Sequence, residues 1–385
     1  MAARPEPVQT WRPLLDALLD QRAALTTEVR RRMQRQLSAY REIAARDFER
    51  HVAMAMESTI RLTSEVPPHL TDRQTQVLEQ VGEAQALLGV PVDQMLLAWR
   101  IGADWLVEHG TEEAERLGLD DRQLLSFVRA TLAASDVGMI TTARAHRRAE
   151  LERDREAQDR RASFVRAVLF GTGDPAQLRV RAQSYGLDPA RLYLAVRAQP
   201  AADGTWRDVA RSVGLADSAR LGRGMSVLVD GDVAGFQLDP PGDAAPGRAG
   251  AGPAVALDRL AESFRLATRS LRTLRAFGTT GTQDLARLGL RAAVVADTDV
   301  GQALRRRYLE PLVDSGSGPE IIATLRAYLA AGSHVLTAAK QLHIHPNTLR
   351  YRLSRFEELA DAHLRDPLVP FEVWWAVQSA AIDQP

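Results

Sequence analysis

The sequence predicts a multidomain chain in which a mixed α/β domain lies between two all-α domains. Three observations carry this. Residues 8–155 hold long stretches with apolar residues at three- and four-residue steps, the period of helices buried on one face. From Ser163 onward short alternating apolar runs are separated by Gly- and Pro-containing turns, the mark of strands. Beyond SGSGP at 315–319 the helical period returns. The expected domains are therefore 1–155, ending in a connector helix, then 163–313 and 319–385. At 385 residues the chain also exceeds what one ordinary core accommodates.

In the first domain Leu25 to Glu65 contains neither Gly nor Pro, and Pro67-Pro68 ends the pattern. A second helix is expected to Leu88, with Gly89 as its C-cap. Pro91 opens a third (VDQMLLAWRIGADWLVEHG), expected to close at Gly110. A fourth starts near Asp120 and runs far past Arg144. Its apolar spacing (Leu125, Val128, Leu132, Ser135, Met139, Thr142) gives way after Ala145 to HRRAELERDREAQDRR. That charged rod reads either as a signalling connector with coiled-coil character or as a solvated helix laced by i,i+4 ion pairs.

In the second domain FVRAVLFG reads as a short helix stopped by Gly171, and LYLAVRAQ at 192–199 as a strand. MSVLVDGDVAGFQLD at 225–239 reads as a hairpin turning at Asp230-Gly231. PPGDAAPGRAGAGP at 240–253 reads as a loop too rich in Pro and Gly to pack, and AVALD as a further strand. LDRLAESFRLATRSLRTLRAFG is an amphipathic helix with a Gly stop, followed by helices near 283–288 and 300–310.

Bulk composition restricts the chemistry. There are 49 basic and 49 acidic residues, so any nucleic-acid contact must come from a local patch. Lys340 is the sole lysine, a bias that reflects genome composition. Cysteine is absent, which excludes disulfides, thiolate zinc sites and cysteine nucleophiles. No run reaches 18 consecutive apolar residues and MAARPEPVQTW lacks a signal-peptide core. A cytoplasmic protein with no membrane partner is the expectation.

The informative segment is SHVLTAAKQLHIHPNTLRYRLSRFEELA, 333–360. Ser333 is placed as N-cap of a short helix through Leu342. Ala338-Ala339 allows a second helix to approach, Ile344 plugs the turn, and Pro346 suits the first position of the next helix. There Leu349, Leu353 and Phe356 form one buried stripe, while Asn347, Thr348, Arg350, Tyr351, Arg352 and Arg355 face outward or flank it. Residues 333–356 carry Lys340, Arg350, Arg352 and Arg355 and no acid. This is the composition of a major-groove reader. An ordinary helical hairpin with solvated arginines has the same pattern.

TAAKQLHIHPNTLRYRL resembles the C-terminal helix-turn-helix of the PucR/CdaR group of bacterial regulators, itself similar to the Fis-type corner. The matching positions are Thr337, Ala338, Leu342, His345, Asn347, Thr348, Tyr351, Arg352 and Leu353. The departure is Ala360-Asp361, where the group commonly has a Gly. FVRAVLFGTG…YGLDPARLYLAV and QDLARLGLRAAVV…LRRRYLEPL resemble the CdaR-type GGDEF-like domain, related to the nucleotidyl-cyclase fold. QLSAYREI and LLAWRIGADWL resemble the globin-like N-terminal domain of RsbR-type stress-response proteins. The resemblance implies a sequence-specific transcription regulator on double-stranded DNA. It is expected to be a homodimer or higher homo-oligomer, controlled by a small-molecule effector or protein partner. Base edges are assigned to Asn347, Arg350 and Tyr351, and phosphates to Ser333, Thr348, Arg352 and Arg355. His345 takes a phosphate or base, and Thr337 and Lys340 complete the DNA-binding set. The alternatives are a non-catalytic nucleotide-binding receptor and a stress-signalling scaffold.

No enzyme activity or cofactor is expected. Asp230-Gly231-Asp232 lacks the paired acids beside a Gly-Gly turn that would hold two magnesium ions. Gly222-Arg223-Gly224 has Val227 where a dinucleotide fingerprint needs a third Gly, and it precedes a strand. His51, His69, His109 and His146 show no proximal and distal logic for haem, and His343 and His345 lack further metal ligands. Met54, Met56, Met95, Trp99 and Trp105 read either as a ligand pocket or as core.

Overall fold

A computed structural model describes residues 11–41, 43, 45–65, 67–242, 247–313 and 315–382. The first ten residues, including most of the stretch read for a signal peptide, lie outside the described residues. Two compact units result, Met1–Asp159 and Arg160–Pro385.

The first unit is helical: α1 (Arg12–Asp20), α2 (Arg22–Gln36), α3 (Ala45–Thr63), α4 (Asp72–Leu87), α5 (Val92–Arg116) and most of α6 (Asp121–Phe170). Trp11, Leu14, Leu25, Val29, Phe48, Ile60, Leu78, Met95, Leu106 and Phe127 form one core. Thr71 and Gln74 close a capping box at the start of α4. Gly89 ends that helix region in the left-handed conformation, φ +75°. Gly110 does not end α5, contrary to the sequence reading. A Cβ there would lie 2.4 Å from the Phe127 ring, so this glycine admits the ring, and the left-handed Gly118 follows the true end. FVRAVLFG is the last part of the 50-residue α6, not a separate helix. The helix contains a stretch long and apolar enough by composition to cross a membrane. Phe127, Ala130 and Ala134 from it are nevertheless buried in the helical core.

The second unit opens with the end of α6 and continues through α7 (Pro175–Ser184), β1 (Tyr193–Gln199), α8 (Trp206–Ser212) and α9 (Leu215–Arg220). It goes on with β2 (Gly224–Val229), β3 (Asp232–Gln237), β4 (Arg248–Val255), α10 (Leu260–Ala276) and β5 (Gly281–Gln283). The sheet order is β2-β3-β1-β4-β5, antiparallel except for the parallel β4–β5 pair. The β2–β3 turn has Asp230 at φ 50° and Gly231 at φ 81°. Two consecutive positive φ values give the twist that a two-residue hairpin favours.

Strand alternation divides β1 between two cores. Tyr193 and Ala195 pack with Phe164, Phe236, Phe264 and Ala267, beneath α10. Leu194, Val196 and Ala198 pack with Val209, Val213 and Leu215, beneath α8 and α9. The stretch 240–253 read as unpackable loop contains most of β4, a correction with a clear cause. A Cβ on Gly250 would lie 2.0 Å from the Ala267 carbonyl oxygen, and one on Gly252 2.1 Å from that of Ser263. The glycines let α10 lie directly on the strand.

Helices α11 (Leu285–Leu288), α12 (Leu290–Ala296), α13 (Thr298–Tyr308), α14 (Glu310–Val313), α15 (Gly318–Ala330), α16 (Val335–Gln341), α17 (Pro346–Ala360) and α18 (Val369–Ile382) complete the chain. Tyr308, Leu309 and Leu312, which the sequence assigns to the middle domain, are buried with Ile321, Leu325, Leu349, Phe356 and Val373. The Tyr308 hydroxyl donates to Glu372, and burial together with that carboxylate pushes the phenol up to about 12.

Candidate nucleic-acid interface

The interface is built on a three-helix corner. Ala338 and Ala339 are completely buried, which brings α16 against α17. Ile344 packs over the turn from its side. The turn closes by N–H donation from Ile344 to the Ala339 carbonyl at 3.0 Å, with His343 in the left-handed region at φ 53°. That pattern ends α16 as a Schellman-type cap. Leu349, Leu353 and Phe356 face the core, as their spacing predicts.

Ser333 is not an N-cap. The chain leaves α15 through two successive left-handed residues, Gly332 and Ser333, both at φ 64°. The Ser333 N–H therefore donates backward to the Tyr328 carbonyl at 2.9 Å, and His334 takes the cap position without a side-chain bond. His345 caps α17: its Nδ1 accepts from the Asn347 N–H at 3.2 Å. In the neutral ring an accepting Nδ1 leaves Nε2 as the nitrogen that can donate.

Thr337, Lys340, His345, Asn347, Thr348, Arg350 and Tyr351 are all exposed, and Tyr351 retains 70% of its surface. Arg350 Nη1 donates to Asn347 Oδ1 at 2.9 Å, which holds both at the N-terminal half of α17. Arg352 and Arg355 are half-buried and already paired. Arg352 bonds Glu320 on α15, and Arg355 bonds Glu358 one turn on at 2.8 Å. Glu358 was legible as an i,i+3 partner. Glu320 was not, because 32 residues separate it from Arg352. Asp361 stands at φ 46° as the α17 C-cap, a left-handed position that a glycine fills without strain.

The other candidate groups do not converge. His69 is exposed, His109 pairs with Gln21 Oε1 at 2.7 Å, and His146 is fully buried with Nε2 2.7 Å from the Val90 carbonyl. His51, Met56 and Trp99 line a cavity of about 40 Å³, whereas Met54, Met95 and Trp105 do not reach it. Asp232 is buried between two guanidiniums: Arg197 Nε donates to Oδ2 at 2.8 Å and Arg275 to Oδ1. Arg197 also reaches Asp230 at 3.2 Å. Among the described residues no group of three or more His, Asp or Glu side chains is placed to hold a metal ion.

A short helix with small buried residues, a tight turn and a second helix with an exposed polar face form a helix-turn-helix corner. Residues 321–379 match the PucR C-terminal helix-turn-helix domain, and residues 23–161 match the RsbT co-antagonist protein rsbRD N-terminal domain. The chain therefore carries a PucR-type domain behind an RsbRD-type one. An uncharacterized protein of Mycobacterium tuberculosis is 36% identical over 92 residues, 24% of this chain and 21% of that protein. The chain thus matches about a fifth of that relative's length. The DNA-binding transcriptional activator AdeR of Bacillus subtilis is 35% identical over 63 residues, 16% of this chain and 15% of its own. Among solved structures, a regulator of polyketide synthase expression from Bifidobacterium adolescentis is 19% identical. That match covers 56% of this chain and 93% of the other, with a TM-score of 0.27, too low for comparing folds.

Proposed function

We propose that the protein is a cytoplasmic DNA-binding transcription regulator whose activity is set by a ligand or partner at its N-terminal or middle domain. The observation that carries this is the PucR-type corner presenting Asn347, Arg350 and Tyr351 on the exposed N-terminal half of α17. A helix in the major groove reads bases from that half. In this reading Arg350 forks to a guanine edge with Asn347 and Tyr351 beside it. Thr348 and His345 meet the phosphate at the helix start, where free N–H groups favour an anion. Thr337 and Lys340 lie on α16 and serve the backbone, as does Ser333 in the preceding turn. Arg352 and Arg355 reach phosphate by exchanging Glu320 and Glu358 for it. One such helix covers few base pairs, so a homodimer on paired half-sites supplies the affinity.

The domain limits 1–155, 163–313 and 319–385 belong to the same proposal, except that Tyr308, Leu309 and Leu312 pack with the third domain. So do a globin-like fold for the first domain and a GGDEF-like fold for the second. The five-stranded order with helices on both faces supports the latter. A non-catalytic role is part of this reading, and it is supported by Asp232, whose oxygens are taken up by Arg197 and Arg275 where a cyclase needs free metal-binding acids. Purified protein with GTP and magnesium is expected to form no cyclic dinucleotide; product seen by mass spectrometry would overturn the non-enzymatic reading.

The DNA reading is tested on an operator recovered by sequencing the DNA the protein binds in its host. Arg350→Ala should weaken that binding by about 1–3 kcal/mol with helix content unchanged. Equal affinity for mutant and parent would remove Arg350 from base reading.

A further inference from the structure

A cleft of about 540 Å³ opens between the end of α6, α10 and α12 in the second unit. Among the described residues four arginines line it (Arg197, Arg265, Arg269 and Arg272) and no Asp or Glu does. Arg265, Arg269 and Arg272 stand at i, i+4 and i+7 on α10, so three like charges share one helix face. Such an arrangement opposes helix stability, and Glu262, one turn before Arg265 and also bonded to Arg259, offsets only part of it. Arg197 is held from beneath by Asp230 and Asp232, which are committed to it and to Arg275.

Two buried polar atoms at this cleft, Thr268 Oγ1 and Arg269 Nε, lack a hydrogen-bond partner among the described residues. Arg269 otherwise makes only a 3.5 Å contact with the Ala292 carbonyl. Buried donors left unpaired are rare in folded proteins and mark places where a partner belongs. On the opposite wall the half-exposed Phe170 ring meets Phe264 edge to face at 5.4 Å. The cleft thus has a cationic floor and an aromatic wall, and its size is that of small-molecule sites.

We propose that this cleft binds a small organic phosphate, its phosphoryl oxygens on Arg265, Thr268, Arg269 and Arg272 and its ring or apolar part against Phe170. Guanidinium forks match phosphoryl oxygens bidentately, and the absence of lining carboxylates disfavours a cationic ligand. The inference rests on the proposed ligand control of the protein and names the site and the ligand class.

The test uses the full chain and isothermal titration calorimetry with 1-naphthyl phosphate, inorganic phosphate and 1-naphthol. Naphthyl phosphate should bind more tightly than inorganic phosphate, and naphthol should give no saturable heat. The pair Arg269→Gln and Arg272→Gln should weaken naphthyl phosphate binding about tenfold or more, the value of losing a charge-assisted bond. Arg306→Gln, an exposed arginine on α13, should leave it unchanged. No heat from either phosphate, unchanged binding by the paired variant with helix content intact, or equal binding of naphthol would each overturn the site. A loss of operator affinity in the paired variant without any phosphate binding would assign the cleft to DNA backbone and also overturn it. Phosphate binding that leaves operator affinity unchanged would keep the site and instead refute ligand control through the middle domain.

Discussion

Asp232→Ala is expected to destabilise the middle domain by about 3–5 kcal/mol, because it removes one member of a buried ion cluster and leaves the others uncompensated. The Asp232 side chain is 3% exposed and that of Arg197 12%, so both charges are largely withheld from water. Asp230, at 81% exposure, is too solvated to replace the lost carboxylate. Arg275, at 38%, can swing outward, so most of the penalty falls on Arg197. Hydrogen exchange of β1 and β3 peptides reads the effect locally, which matters because a multidomain chain does not unfold in one step. Faster exchange there, with α2–α5 unchanged, is the expected outcome. Replacing Arg197 together with Asp232 by apolar residues of similar volume should restore most of the protection, since the cost lies in the orphaned charge. Unchanged exchange in Asp232→Ala would show that the cluster contributes nothing to stability.

The part of the fold that local pattern controls was legible. The stripe Leu349, Leu353 and Phe356, the Ala338-Ala339 contact and the Pro346 start needed only helical periodicity and the rules of helix ends. The Asp230-Gly231 hairpin needed only its turn residues. Misreadings came where a distant neighbour or the backbone conformation overrides what the residue type favours locally. Gly110 resembles a helix stop, but Phe127 requires it to have no side chain. Ser333 resembles an N-cap because Ser favours that place, yet the backbone turns left-handed there and Ser333 instead donates its N–H to Tyr328.

The candidate site divides in the same way. The outward placement of Asn347, Arg350 and Tyr351 follows from the buried stripe alone. The ion pair Arg352–Glu320 depends on how α15 crosses α17, which no local signal encodes. A count of four basic residues and no acid over 333–356 therefore overstated the free charge. Two of those four arrive at the interface already neutralised, by Glu320 and Glu358. The Arg-lined cleft was hidden for a related reason. Arg265, Arg269 and Arg272 look like the solvated side of an amphipathic helix until Phe170 and α12 wall them in.

Gly250→Val should separate α10 from the sheet and cost about 3 kcal/mol or more, at the upper end of core overpacking. Overpacking is usually moderated by rotation of neighbouring side chains, and here that route is closed. The atoms a Cβ would meet are the Ala267 carbonyl oxygen at 2.0 Å and the Leu271 nitrogen at 2.6 Å, both backbone. Relief therefore requires the helix itself to rise by more than 1 Å over roughly one turn, given ordinary contact distances. Lifting it would loosen Phe264, Ala267 and Leu271, all of which are buried on the strands. Gly242→Ala is the control, because no described residue lies within 4 Å of a Cβ at that position. Thermal unfolding followed through Trp206, which stands at the start of α8, compares the two once the other tryptophans are replaced by phenylalanine. The expected result is a marked loss of midpoint for Gly250→Val and none for Gly242→Ala. Equal midpoints would mean that α10 does not rest on β4 as closely as the structure places it. The arginine cleft would then lose its fixed floor as well, since Arg265, Arg269 and Arg272 are positioned by that contact.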